Sequence, residues 1–325
     1  MTCEETMVDT VNTTRQQTEP AIVVGHLRMD YGHQRAVDDL SFHVRRGEIY
    51  ALLGPNGAGK TTTVEILEGH RRRTAGSVRV LGVDPAHGGR RWRGRVGIVL
   101  QSGGLDGELT VGELVKFYSD LYAHPKDVGD TIDRVGLADK RKARARTLSG
   151  GQLRRLDLAL ALIGDPELVF LDEPTTGFDP TARRSAWEMI DELRGEGTTV
   201  LLTSHYLDEV QRLADRVGVV SSGRLIAEST PSALGRRDIA DTVISFQPWD
   251  AARLPDGPWH PPERHDDRLL LRTDRPTEAL LTLTSWAVGQ HRDLSGLTVT
   301  QPSLEDAYLQ LTDDATTPSG GSDAR

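Results

Sequence analysis

Gly54-Pro-Asn-Gly-Ala-Gly-Lys-Thr61 is the stretch on which the reading of this chain turns. It fits G-x-x-x-x-G-K-[ST], the pattern of a phosphate-binding loop. An apolar run, Ile49-Tyr-Ala-Leu-Leu53, precedes it, and a helical stretch from Thr61 to Leu67 follows, stopped by Gly69. Strand, loop and helix in that order are the context the pattern needs. Glycines let successive backbone N–H groups turn toward one point, and the helix N-terminus adds partial positive charge. Gly54, Pro55, Asn56, Gly57, Ala58, Gly59, Lys60, Thr61 and Thr62 are the expected cradle for a nucleotide's phosphates. Lys60 is expected to reach the β- and γ-phosphates and Thr61 to ligate Mg²⁺. A GTPase is disfavoured: it needs Asn-Lys-x-Asp, and neither of the two asparagines, Asn12 and Asn56, precedes a lysine.

Outward from the loop, Val96-Gly-Ile-Val-Leu100, Leu168-Val-Phe-Leu171 and Val200-Leu-Leu202 are further continuous apolar runs. Such runs suit parallel strands covered on both faces. Leu40, Phe42 and Val44 alternate, as do Val78 and Val80, so these segments read as half-buried strands. Val111, Leu114, Val115 and Tyr118 follow helical spacing, as do Leu156, Ala159, Leu160 and Ile163, and Ala182, Ala186, Met189, Ile190 and Leu193. Residues 106–165 carry helix signals and no clear strand, which predicts a helical subdomain inserted into an α/β domain. That domain is expected over residues 21–235. Composition then shifts: residues 248–266 hold five prolines and contain a loop. Leu269–Arg272 reads as a strand, Pro276–Val288 as a helix, Leu297–Thr300 as a strand, and Ser303 with Asp306 opens a last helix. A small α+β domain is expected over 236–312, with disordered tails at 1–20 and 313–325.

Acidic residues number 48 and basic residues 39, a net charge of −9 in 325 residues, which disfavours nucleic acid as a partner. Arg71-Arg-Arg73 and Arg90-Arg-Trp-Arg-Gly-Arg95 are local exceptions, read as a solvated face with Trp92 packed inside. One cysteine, Cys3, excludes an internal disulfide and a cysteine metal cluster. No apolar run reaches the length of a membrane span, and the first 20 residues lack the apolar core of a secretion signal. The expectation is a soluble cytoplasmic protein.

A second set of motifs lies downstream: Leu148-Ser-Gly-Gly-Gln152, Leu168-Val-Phe-Leu-Asp-Glu-Pro174, Thr175-Thr-Gly-Phe-Asp179 and Thr203-Ser-His205. With Tyr31 and Gln101, the set resembles the ATP-binding cassette (ABC) ATPases, every motif in family order. The resemblance implies a P-loop α/β fold with an antiparallel β subdomain and an inserted helical subdomain. It implies ATP as substrate, Mg²⁺ as cofactor, and a head-to-tail pair of cassettes with two ATP molecules between them. Ser149, Gly150, Gly151 and Gln152 of one copy would close on the phosphates held by its partner. Asp172, at the end of a buried strand, is expected to hold Mg²⁺ together with Thr61 and Gln101. Glu173 is the expected general base and His205 the residue at the γ-phosphate. Asp179 would link the two half-sites, and Tyr31 would stack on adenine. Phe178 departs from the family's usual Leu.

Among ABC proteins, a single cassette excludes the two-cassette translation-factor type. The 89-residue step from Lys60 to Ser149 excludes a coiled-coil insertion. Glu68–Gly76, Leu156–Leu162, Ser204–Glu209 and the ending Pro302–Thr312 resemble drug-exporter ATPases of the daunorubicin-resistance type. The implied partners are a separate transmembrane permease and a second copy of the chain, at the cytoplasmic face of the membrane. An importer ATPase and an ATP-switched regulator are the alternatives.

Overall fold

The computed structural model describes residues 19–99, 106–234, 241–249 and 254–300. The chain divides into two compact units, Met1–Thr230 and Pro231–Arg325. In the first, β1 (Ile22–Tyr31), β2 (Gln34–Val44), β3 (Ile49–Leu53), α1 (Lys60–Leu67), β4 (Ala75–Val80), α2 (Arg90–Arg93) and β5 (Val96–Val99) come in order. Three helices follow, α3 (Val111–Ser119), α4 (Val128–Arg134) and α5 (Gly150–Leu162). The unit ends with β6 (Leu168–Asp172), α6 (Pro180–Gly195), β7 (Thr199–Ser204), α7 (Leu207–Leu213), β8 (Arg216–Ser221) and β9 (Arg224–Ser229).

The continuous apolar runs become the centre of a six-stranded sheet of order β5-β6-β7-β3-β8-β9. Every residue of β3, β6 and β7 is buried, as expected of strands covered on both faces. All neighbours run parallel except the β8–β9 pair. β3 lies between β7 and β8, so the loop after it opens at the C-terminal edge of the parallel strands, where such sheets bind ligands. Register places Leu53 beside Ser204 and Asp172 beside Thr203, so residues following these strands emerge together. A three-stranded antiparallel sheet, β2-β1-β4, shares its core with the larger sheet. Phe42 of β2 stacks on Tyr50 of β3 with ring centroids 5.3 Å apart.

Among the described residues, the segment 106–165 holds α3, α4 and α5 and no strand. Thr110 with Glu113 and Ser149 with Gln152 form complete capping boxes, which set where α3 and α5 begin. α1 ends at Glu68, and Gly69, with φ 78°, turns the chain out of the helix.

The second unit contains α8 (Pro231–Leu234), β10 (Thr242–Phe246), β11 (Glu263–His265), β12 (Arg268–Thr273), α9 (Pro276–Gly289) and β13 (Thr298–Thr300). Its antiparallel sheet has the order β11-β12-β10-β13. Ile244, Phe246 and Leu271 pack against Ala279 and Leu283 of α9. The strand and helix read from Leu269 and Pro276 are present; β10 and β11 were not foreseen. Residues 1–18, the segment 313–325 and the expected last helix at Ser303–Asp306 lie outside the described residues.

Candidate functional site

The loop after β3 is held by close backbone approach. A Cβ on Gly54 would sit 2.3 Å from the Val220 carbonyl oxygen, and one on Gly59, whose φ is 98°, 2.4 Å from that of Ala36. Gly223 N–H donates to Ala58 O at 3.0 Å, tying the loop to the β8–β9 turn. The Lys60 side chain lies along the loop, only 6% of the residue exposed, and Nζ donates to Gly54 O at 2.7 Å and Pro55 O at 3.2 Å. Burial lowers its pKa below the ordinary lysine value, and the carboxylates of Glu173 and Asp172 oppose that shift. A cleft of about 720 Å³ opens over the loop, lined by Tyr31, Gln34, Asn56, Lys60, Thr61 and Glu173 among others. At its rim Tyr31 is 39% exposed, with the Arg71 guanidinium 5.0 Å from its ring centroid and Thr62 Oγ1 3.4 Å from its hydroxyl. Arg71 and Gln34 at this cleft were not anticipated.

Two carboxylates end the neighbouring strand. Asp172 is 8% exposed and accepts a short hydrogen bond from the Thr203 hydroxyl. Glu173 follows with φ 47°, a left-handed conformation uncommon outside glycine. Its N–H donates to Thr203 O at 3.2 Å and to Thr203 Oγ1 at 3.1 Å. Its carboxylate accepts from Thr176 Oγ1 at 3.2 Å and lies 3.1 Å from His205 Nδ1. His205 is the first residue after β7, so strand register brings it to Glu173. Arg154 of α5 adds a contact the sequence did not announce: it donates to the carbonyls of Asp172 at 2.5 Å, Glu173 at 3.4 Å and Pro174 at 3.3 Å.

For Mg²⁺ the donor chemistry fits. Among the described residues no group of three or more His, Cys, Asp or Glu side chains would hold a metal ion unaided. A carboxylate and a hydroxyl, such as Asp172 and Thr61, with phosphate oxygens completing the set, are the hard-oxygen ligands Mg²⁺ takes. Gln101 lies outside the described residues.

The Ser149 step caps α5. Ser149 Oγ accepts from Gln152 N–H at 3.3 Å, and Gln152 Oε1 accepts from Ser149 N–H at 3.0 Å. The Gln152 side chain is thus engaged with its own helix. The Ser149 hydroxyl keeps its O–H to donate, and nothing lies within 4 Å of where a Cβ on Gly150 or Gly151 would stand. Asp179 caps α6, and the N–H groups of Ala182 and Thr181 hold its carboxyl below the usual aspartate range. Ser149, Gly150, Gly151, Gln152 and Asp179 are not among the residues lining the cleft over Lys60.

Behind the cleft, Glu68 is 5% exposed. Burial, then the nearby Asp172 and Glu65 carboxylates, push its pKa up to about 8. A carboxyl raised from the ordinary 4.5 contributes stability that is full below that pH and lost as the pH rises through about 8. Glu68→Gln is therefore expected to flatten the pH dependence of Tm between about pH 5 and 8, the variant gaining on the native chain at the upper end. Thermal melts across that range check it; parallel curves for the two proteins would contradict it.

Three arginines of the two basic runs are paired with carboxylates. Arg71 pairs with Glu65, Arg73 with Asp84 and Arg95 with Glu167, and Trp92 is buried with its Nε1 donating to Val80 O at 3.0 Å.

Comparisons with known proteins bear on the family and the fold. Residues 37–176 match the family described as ABC transporter, and residues 242–303 match a C-terminal domain described as ABC transporter domain-containing protein-like. The daunorubicin resistance ATP-binding protein DrrA3 of Streptomyces coeruleorubidus is 37% identical over 308 residues, 91% of this chain and 97% of that protein. The Nod factor export ATP-binding protein I of Paraburkholderia xenovorans is 42% identical over 243 residues, 73% of this chain and 80% of that protein. A solved structure of cbiO1 from Clostridium perfringens superposes with a TM-score of 0.61 at 26% identity, covering 67% of this chain and 92% of that one.

Proposed function

The chain belongs to the ATP-binding cassette (ABC) transporter ATPases, and from that membership we propose that it powers export through a separate membrane-spanning permease. The observation that carries the reading is the meeting of Lys60 and Glu173 in one cleft, while the Ser149 step caps a helix outside it. A nucleotide in that cleft has its phosphates over the glycine turn and the Lys60 ammonium. Glu173 takes the proton of the attacking water, and His205, 3.1 Å from Glu173, orients the carboxylate and meets the γ-phosphoryl group. Thr61 and Asp172 would hold Mg²⁺, which when bound neutralises charge on the phosphate oxygens. A second copy, related by a two-fold axis, supplies its own Ser149, Gly150 and Gly151 to complete each site, with Asp179 bridging the two and Tyr31 carrying the adenine.

The permease contact is assigned to the groove between the sheet and the helical segment. A cavity of about 550 Å³ lies there, lined by Glu68, Trp92, Ile98, Tyr118, Tyr122 and Leu160 among others. Phe117 and Leu121 are 58% and 52% exposed on and beside α3. Among the described residues no helix is long and apolar enough to cross a membrane. The export direction is supported by the two relatives, whose names record drug resistance and Nod factor export.

The test is affinity capture of the tagged chain from its native membranes, then efflux from cells expressing the recovered permease with native chain or with Glu173→Gln. Efflux that requires the native chain supports the reading. Capture without a membrane protein, or accumulation instead of efflux, would overturn it.

A further inference from the structure

We propose that Arg154 is a positioning residue for ATP hydrolysis, holding Glu173 in place from the helix that begins at Ser149. The proposal rests on Glu173 as the general base. Three successive carbonyls, those of Asp172, Glu173 and Pro174, accept from one guanidinium. A guanidinium is a rigid planar fork of five N–H donors, so a single Arg fixes the direction of several acceptors at once. The peptide units it grips flank the one residue of this segment with a left-handed backbone, Glu173 at φ 47°. Such a conformation persists in a non-glycine residue only where its surroundings over-determine it. Here two partners do so from opposite sides: Thr203 takes the Glu173 N–H, and Arg154 takes the carbonyls.

The grip has a consequence for coupling within the chain. Arg154 stands five residues into the segment whose first residue, Ser149, caps α5. A displacement of α5 is transmitted to the Glu173 backbone through three hydrogen bonds rather than through a flexible loop. The step that closes over a partner's nucleotide and the base that takes the proton of the water attacking the chain's own nucleotide are thus mechanically joined.

The experiment compares steady-state ATP hydrolysis by the native chain, Arg154→Gln, Arg154→Lys, Glu173→Gln and the double variant Arg154→Gln/Glu173→Gln. Arg154→Gln is expected to lower kcat by about 10–100-fold with KM for ATP changed by less than about threefold, since misplacing a reacting group costs turnover rather than binding. Arg154→Lys, which keeps the charge and a donor to one carbonyl, should recover part of that loss; it carries the same test if the Gln variant melts early. In the Glu173→Gln background, Arg154→Gln should add less than about a twofold further loss, because the group it positions is already gone. A folded Arg154→Gln with native kcat, a loss confined to KM, or a full multiplicative loss on top of Glu173→Gln would each overturn the proposal. Native turnover by Glu173→Gln alone would instead remove the general base on which it rests, a distinct result.

Discussion

Glu173→Gln is expected to lower ATP turnover by about 10²–10⁴-fold while ATP still binds. The reason is local. Gln keeps the shape of Glu and can still accept the Thr176 hydroxyl that lies 3.2 Å from Oε2, so the loop has no cause to move. What disappears is the basic carboxylate that faces His205 and that we propose takes a proton from water. The contacts proposed for the nucleotide, the glycine turn and Lys60, are untouched, so binding should continue to draw two copies together without the hydrolysis that would separate them. An ATP-loaded dimer should accumulate. Size exclusion with ATP should show the dimer for Glu173→Gln and monomer for the native chain after turnover. A variant that hydrolyses at the native rate, or one that stays monomeric in ATP, would contradict this.

Lys60→Ala is expected to remove hydrolysis by a different route, with a loss of about 10²–10³-fold or more, the range for deleting one donor aimed at developing charge. Lys60 also differs from Glu173 in what it does before any nucleotide arrives. Its ammonium is buried and spends its protons on Gly54 O and Pro55 O, the two carbonyls that open the loop. Removing it frees those carbonyls and weakens the pull on the phosphates together. The two variants should therefore separate in a binding assay: Glu173→Gln retains ATP, Lys60→Ala binds it more weakly, and no ATP-dependent dimer forms with the alanine. Equal affinities for both variants would show that Lys60 acts on chemistry alone.

The parts of this molecule legible from sequence are those where a single physical constraint acts on consecutive residues. Ile49–Leu53 and Leu168–Leu171 had to be apolar throughout because the sheet is covered on both faces, and both are fully buried. The glycines of the loop announced themselves because backbone approaches at 2.3 and 2.4 Å tolerate no side chain. Of the antiparallel strands, β2 and β4 showed in their alternation, whereas β1 did not. β1 runs from Ile22 to Tyr31 with register shifts along its pairing, and His26 at φ 50° interrupts the alternation that would have marked it. The β8–β9 hairpin turns through two residues, Ser222-Gly223, whose φ values of 48° and 77° are both positive, as a tight two-residue hairpin turn requires. Its strands are short and mixed, so periodicity alone did not separate them.

At the site, residue types were legible and their mutual restraint was not. Asp172, Glu173 and His205 were expected from their motifs, and parallel pairing of β6 with β7 sets Asp172 beside Thr203. That Thr203 donates to Asp172 and receives the Glu173 N–H depends on strand register, which no local pattern encodes. Arg154 was invisible for the same reason: its partners are backbone carbonyls, and carbonyls leave no trace in a sequence. Gln152, expected at nucleotide, is engaged in capping α5 within this single chain, a role its spacing from Ser149 also allows.

One measurement bears most directly on the claim that two copies enclose the nucleotide: a crystal structure of Glu173→Gln grown with ATP and Mg²⁺. The expected result is a two-fold dimer in which Ser149 Oγ and the Gly150 and Gly151 N–H groups of each copy lie within hydrogen-bond distance of the γ-phosphate held by Lys60 of the other. A structure with ATP over Lys60 and the Ser149 step facing solvent, or pairing elsewhere, would contradict it.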